Sequence, residues 1–199
     1  MKLWSIKSAR DWNTLESKGR YRVYRSHIDK KWWKDFGFAY EWMVEQMVKR
    51  IGPPPAKRLL PVWAWQHWRG NEKLASRPDL RSYRDMIGKH VRIEFEVPAE
   101  QVLLSGFDSW HFVLNRWYLS HSETEDTAFH AKLKKHPKRP LPRTLDKAIR
   151  ESWQRIFDLE GGDPKWCCKP EERAVQACVW EIRLEDVTDV AHFTGKGKL

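Results

Sequence analysis

A regular alternation of apolar and charged residues runs through the middle of the chain. It reads His90-Val91-Arg92-Ile93-Glu94-Phe95-Glu96-Val97. Successive side chains of a β-strand point to opposite faces, so the four apolar residues after His90 share one face and the three charged residues share the other. The segment predicts a strand with one face in the core of a sheet. Salt bridges at the surface are the default interpretation for its two glutamates.

Further strands and helices are predicted on both sides of this strand. Strands are expected at residues 3–6, 61–68, 102–104, 175–184 and 187–193, and helices at 8–18, 35–51, 108–118 and 144–157. The fold class is therefore α+β, with helices packed on a mixed, largely antiparallel sheet. A length of 199 residues fits a single domain spanning 1–199, with a basic, proline-rich loop at about 136–143.

The composition is that of a folded globular chain, with 41% hydrophobic and 32% charged residues. No apolar run approaches the roughly 18 residues that a membrane-spanning helix needs, so no membrane association is expected. The first residues lack the apolar segment of a secretory signal. Three cysteines do not make a disulfide framework, and no histidine or cysteine spacing matches a zinc site. A cytoplasmic protein without a metal is expected.

The formal charge of +10 is concentrated in two blocks. Residues 1–70 hold 15 lysines and arginines against 6 acidic residues, a net of +9, and residues 132–150 hold 8 against 1, a net of +7. The rest of the chain is net acidic. Such blocks indicate a basic face, for which RNA or DNA is the favoured partner and an acidic protein a second one. A solvated surface that binds nothing is the alternative.

Aromatic and basic residues interleave within residues 20–34, in a chain with 13 tryptophans. This pattern suits single-stranded nucleic acid, whose bases stack on rings while cations neutralise its phosphates. The candidate nucleic-acid-binding residues are Arg22, Arg25, Lys30, Lys31, Lys34, Lys134, Lys135, Lys138 and Arg139. A solvated loop whose tryptophans pack under the domain fits the pattern equally well.

Two other strands carry candidate site residues. Trp63, Trp65 and His67 alternate on one face of the strand at 61–68, as a stacking platform or as ordinary core. Glu181 lies within the strand at 175–184, opposite Trp180. A carboxylate in that place either points to solvent or serves a site.

Three segments resemble a bacterial family known as domain of unknown function 3841. They are Ala39-Tyr40-Glu41-Trp42-Met43-Val44-Glu45-Gln46-Met47, Pro61-Val62-Trp63-Ala64-Trp65 and Val102-Leu103-Leu104-Ser105-Gly106-Phe107-Asp108-Ser109-Trp110-His111. The resemblance covers most of the chain and implies no activity.

A second set of segments is similar to small ADP-ribosyltransferase-like domains. It comprises Trp4-Ser5-Ile6, Asp11-Trp12, Gly19-Arg20-Tyr21-Arg22, Ile93-Glu94-Phe95-Glu96-Val97-Pro98 and Val102-Leu103-Leu104. The resemblance implies an NAD cofactor, held by Arg or His on the first strand, an aromatic residue at the nicotinamide and a late-strand glutamate. Carried over by position, the first role falls on Ser5. Tyr40 or Trp63 could supply the aromatic residue, and Glu181 or Gln176 the polar group of the late strand. Trp4 and Trp65 would complete the cofactor site, and the Arg or His is replaced by Ser5.

The leading hypothesis is thus an ADP-ribosyltransferase-like protein that binds NAD or a nucleotide and acts on a nucleic acid, as in toxins or defence components. Glu181 would be catalytic, stabilising the oxocarbenium character that develops as nicotinamide leaves. Two alternatives remain open. One is a non-catalytic nucleic-acid-binding module, and the other is an interaction component of a toxin–antitoxin-like pair.

Overall fold

The computed structural model describes residues 1–68, 77–138 and 140–197. Its helices are α1 (Ala9–Lys18), α2 (Lys30–Ile51), α3 (Phe107–Leu114), α4 (Glu123–Lys134) and α5 (Arg143–Ser152). Its strands are β1 (Lys2–Ser8), β2 (Arg20–Tyr21), β3 (Val23–Tyr24), β4 (Leu59–Leu60), β5 (Val62–His67), β6 (Ile87–Glu96), β7 (Leu103–Gly106), β8 (Val175–Val179), β9 (Ile182–Arg183) and β10 (Val187–Lys196). The described residues group into two compact units, one of 1–68, 77–104 and 175–197, the other of residues within 105–174.

A six-stranded sheet in the order β10-β6-β1-β5-β8-β7 organises the first unit. The pairs β10–β6, β6–β1, β1–β5 and β5–β8 are all antiparallel. Leu3 lies opposite Phe95 and Ser5 opposite Ile93, so these side chains share one face of the sheet. Val62, Ala64 and Ala177 belong to the same buried cluster. The alternation of residues 90–97 is thereby confirmed as a strand with one face in the core.

Helices α1 and α2 form for reasons visible in the sequence. The Ser8 hydroxyl accepts a hydrogen bond from the Asp11 N–H at the start of α1, and Gly19 ends it in the left-handed conformation at φ 69°. Trp12 and Leu15 of α1 pack into the buried cluster on the sheet. The Asp29 carboxylate accepts from the Trp32 N–H and starts α2.

The second unit is helical, and the three helices that lie within it are α3, α4 and α5. Its buried side chains include Trp110, Val113, Phe129, Ile149 and Trp153. The Ser122 hydroxyl accepts from the Glu125 N–H at the start of α4. The chain leaves α5 through a 3-10 turn at Trp153–Phe157.

The predicted α+β class with a largely antiparallel sheet is confirmed, whereas a single domain spanning 1–199 stays a prediction. Within the described ranges, no helix is long and apolar enough to cross a membrane. In those ranges, no group of three or more histidines, cysteines and carboxylates is placed to hold a metal ion.

Several predicted bounds are wrong. Helix α2 begins at Lys30 instead of residue 35, because Asp29 caps it. The strand predicted at 175–184 ends at Val179 and resumes only as the short β9, which leaves Trp180 in a bend and Glu181 between the two strands. Helix α3 ends at Leu114 instead of residue 118. Helix α4 was not predicted at all.

Candidate functional site

The five residues proposed to hold NAD lie in or against the central sheet of the first unit. Trp4 is buried, and its indole N–H donates to the Glu94 carboxylate at 2.9 Å. Trp4 pairs with Trp65 across β1 and β5, so the two rings share one face of the sheet. Ser5 is 1% exposed, projects from the opposite face of β1, and donates to the Trp63 carbonyl oxygen at 2.8 Å.

Tyr40 of α2 packs edge-on against Trp63, with ring centroids 6.0 Å apart. Burial raises the pKa of Tyr40 to about 12. Trp63 and Trp65 are half-buried. The structure therefore brings the rings of Tyr40 and Trp63 together as packing between α2 and the sheet, whereas Ser5 reaches only the backbone of Trp63, from the opposite face. NAD binding by these residues stays a prediction.

Glu181 belongs to a cluster of charges at the end of β8. Its two carboxylate oxygens accept from Arg22 at 2.6 Å and from Arg183 at 2.9 Å. Burial acts to raise the pKa of Glu181, but the hydrogen bonds from Arg183 and Arg22 outweigh it, and the net pKa lies below the ordinary value. The carboxylate is ionised, and both of its oxygens are engaged. It lines a cavity of about 230 Å³ with Trp180 and Gln101.

Two adjoining cavities form a cleft beside α1. The larger, of about 580 Å³, is lined by residues that include Ser8, Arg10 and Asp11, and the smaller, of about 270 Å³, by Arg20 and Tyr24. Both are lined by the shared set of Thr14, Lys18, Arg22 and His27. We call the pair the α1 cleft. One wall is a face of α1, and the other is the segment that carries β2 and β3.

The cations of the α1 cleft differ in what they contact. Arg22 is held by Glu181. Arg10, Lys18 and Arg20 make no ion pair and no side-chain hydrogen bond with any other residue in the described part of the chain, and all three are exposed. An exposed cation without a carboxylate partner is available to an anion from solution. Three such groups lie along one cleft.

Asp11 lines the larger cavity of the α1 cleft and takes part in a small hydrogen-bonded group. The Ser8 hydroxyl donates to its carboxylate at 2.8 Å. Burial and a hydrogen bond to the same carboxylate raise the pKa of Tyr21 to about 12. The ammonium group of Lys7 lies 5.1 Å from the centre of the Tyr21 ring, and burial lowers the pKa of Lys7 to about 8. The one carboxylate lining the cleft is therefore already hydrogen-bonded.

Two aromatic rings stand beside the unpaired cations. Tyr24 and His27 pack edge to face, with ring centroids 5.3 Å apart. His27 is exposed, and both rings line the smaller cavity. The α1 cleft thus combines free positive charge with exposed aromatic surface.

The predicted basic residues at and just before the start of α2 do not line the α1 cleft. Arg25 lies over the Trp33 ring, 3.9 Å from its centroid. Lys30, Lys31 and Lys34 are exposed on the first turns of α2. Trp32 packs against Tyr40 and Phe36 of the same helix, so it is not a free stacking surface.

The second predicted basic block belongs to the helical unit. Lys134 ends α4, Lys135 follows it, and Lys138 lies in the loop beyond; all three are exposed. Arg139 lies outside the described residues. The residues of the α1 cleft belong to the first unit.

Arg10, Lys18 and Arg20 were missed in the sequence because they flank the aromatic segment instead of interleaving with it. One signal was available. Arg10, Thr14 and Lys18 are spaced four residues apart on an amphipathic helix, which places them on one exposed face.

The chain is an α+β protein with a basic, partly aromatic cleft beside its first helix. It belongs to the family described as domain of unknown function (DUF3841), whose model matches residues 2–188. No curated protein and no solved structure matches the chain.

Proposed function

We propose that the protein binds single-stranded nucleic acid in the α1 cleft. The observation that carries the proposal is the row of Arg10, Lys18 and Arg20, which no carboxylate neutralises in the described ranges, beside the rings of Tyr24 and His27. Cations hold the phosphates and fix the position of the strand, while an exposed ring stacks on a base whatever its identity. A cytoplasmic location is part of this proposal.

Single strands fit this cleft better than duplexes do. In a duplex the bases are stacked on each other, and only base edges reach a protein surface. Stacking on Tyr24 or His27 requires an unstacked base, as in a loop or a free strand. A duplex would therefore use the cations alone and bind more weakly.

The test is fluorescence anisotropy with a labelled strand of about 20 nucleotides, as RNA and as DNA. Replacing Arg10, Lys18 and Arg20 together by Gln should weaken binding at least about tenfold at low salt, because three phosphate contacts are removed. The matched control replaces the exposed Lys49, Lys89 and Lys196 by Gln, which lowers the net charge equally. Equal losses in both triple variants, or no binding by the parent, would refute the proposal.

ADP-ribosyl transfer is a separate hypothesis that the same protein can test. Both oxygens of Glu181 accept from arginines, so a role at a nicotinamide ribose would require one of these ion pairs to open. Titration with NAD in a calorimeter addresses it directly. Binding heat that is seen with the parent and lost in the Glu181→Gln variant would favour the transferase hypothesis. No binding heat with the parent would mean that NAD is not its cofactor, which would refute that hypothesis.

A further inference from the structure

A cavity of about 200 Å³ lies wholly within the helical unit. It is smaller than the roughly 300–1,000 Å³ pockets that hold drug-sized ligands, so its ligand is a small one. Phe107, Phe112 and Trp166 contribute aromatic surface to its lining, and Trp166 is 43% exposed. Planar apolar walls of this kind fit a flat molecule.

The two arginines that line this cavity are already engaged by other groups of the protein. Arg155 donates to the Glu125 carboxylate at 2.7 Å and to the Leu119 carbonyl oxygen at 2.7 Å. All three nitrogens of Arg173 donate to backbone carbonyl oxygens, among them those of Leu159 and Gly161 at 2.6 Å each. Asp108 and Asp158 are the two acidic residues of the lining. An anionic ligand would find no unengaged arginine.

Apart from the exposed carboxylate of Asp108, the polar side chains of the lining that remain available are uncharged. Burial and the neighbouring Arg155 lower the pKa of His121, which keeps its imidazole neutral at pH 7 with one donor and one acceptor. The ring nitrogens of His121, the hydroxyl of Ser109 and the indole N–H of Trp166 have no hydrogen-bond partner within residues 1–68, 77–138 and 140–197. Neutral donors and acceptors beside aromatic walls match the edges and faces of a heteroaromatic ring.

We propose that this cavity binds an uncharged, planar nitrogen heterocycle of nucleobase size. The rings would stack on its faces, while His121 and Ser109 hydrogen-bond to its edge. The site shares no residue with the α1 cleft, since all of its residues belong to the other unit. Its test therefore stands whether or not nucleic acid binds the cleft.

Cys167 provides a reporter of occupancy that needs only one conservative change in the lining, Cys168→Ser. Its side chain lines the cavity and is partly exposed, whereas Cys178 is fully buried on β8. In a Cys168→Ser background, alkylation by iodoacetamide at about pH 8.5 therefore reports on Cys167. A ligand in the cavity should slow this alkylation.

The probes are free adenine, cytosine and uracil, with inorganic phosphate and benzoate as anionic controls. At least one base should bind with a Kd of about 10 µM to 1 mM, the range open to a ligand with so few atoms, and should slow alkylation of Cys167. The anions should do neither. No protection by any base at concentrations near solubility, or protection by the anions instead, would overturn the proposal.

Two variants locate the binding. His121→Ala should weaken it about fivefold to tenfold through the lost hydrogen bond, and Trp166→Ala at least about tenfold through lost stacking. The exposed His136 and Trp117 line no part of this cavity, so His136→Ala and Trp117→Ala are the matched controls. Base affinity that is unchanged in both site variants would place the ligand elsewhere. The alkylation assay on the parent site keeps the proposal falsifiable if a variant fails to fold.

Discussion

A single residue of the helical unit, Glu125, accepts hydrogen bonds from three different residues of that unit. Its carboxylate accepts hydrogen bonds from the Arg155 guanidinium, the His121 N–H and the Tyr118 hydroxyl. Burial acts to raise the pKa of Glu125, but these donors, led by Arg155, lower it to about 2. The folded state therefore favours the ionised form of the Glu125 carboxylate over its protonated form.

This depressed pKa makes a prediction about acid stability. The contribution of Glu125 is fully present above the ordinary value of 4.5 and is lost as the pH falls from there to about 2. Glu125→Gln should lower the free energy of unfolding at pH 7 by about 1–2 kcal/mol, less than the full shift would give, because solvent screens a partly exposed ion pair. Denaturant unfolding measured from pH 7 to 2 should show the gap between parent and variant closing in that window.

The exposed Glu123, in the first turn of α4, provides the matched control as Glu123→Gln. It should change stability by no more than about 0.5 kcal/mol at any of these pH values. A gap between parent and Glu125→Gln that stays constant down to pH 2 would contradict the assignment of the depressed pKa.

Single residues were the hardest features to predict from sequence. The alternation of residues 90–97 correctly indicates that Glu94 lies on the face opposite Phe95. It cannot indicate that Glu94 accepts from Trp4 at 2.9 Å and pairs with Lys2 at 2.7 Å, because Trp4 lies 90 residues away in sequence and Lys2 lies still farther. Periodicity reports the face of an element and carries no information on long-range partners.

At the level of elements, the sequence correctly predicted helix ends where an apolar periodicity is followed by a glycine. Helix α1 ends at Gly19 as predicted, and α2 ends at Ile51 before Gly52. Helix α4 was missed because it buries only Phe129 and so lacks an apolar stripe. The capping pair of Ser122 and Glu125 was its one local signal.

Strand β10 supplies an element-scale prediction at Gly195. A Cβ built at this position would overlap the backbone carbonyl group of Met86, so a side chain requires the backbone to move. The strand pairs with β6 along its length as far as Lys196 and Ile87. Gly195→Ala should therefore destabilise the fold by about 1–3 kcal/mol, measured by denaturant unfolding.

The control is Thr194→Ala, one residue earlier on the same strand at an exposed position. It should cost no more than about 0.5 kcal/mol. If both substitutions changed the free energy of unfolding equally and only slightly, the end of β10 would tolerate a side chain at Gly195. That result would contradict the close approach of Gly195 to the Met86 carbonyl group.

At the scale of the whole molecule, the distribution of charge along the sequence indicates a basic region but does not indicate which of its cations are unpaired. The block of +9 in residues 1–70 contains all the residues that line the α1 cleft. Which cations remain unpaired depends on tertiary contacts: Arg22 is held by Glu181 from the far end of the chain, and Arg25 by Trp33. Composition cannot separate such residues from Arg10, Lys18 and Arg20.

The most direct test of the α1 cleft is the salt dependence of binding to single-stranded nucleic acid. Each phosphate contact to a single strand contributes about 0.7 to the slope of log affinity against log salt concentration. The Gln variant of Arg10, Lys18 and Arg20 should therefore have a slope shallower than that of the parent by about 2. The Gln variant of Lys49, Lys89 and Lys196 should keep the parent slope. Identical slopes for the parent and the cleft variant would contradict binding in the α1 cleft.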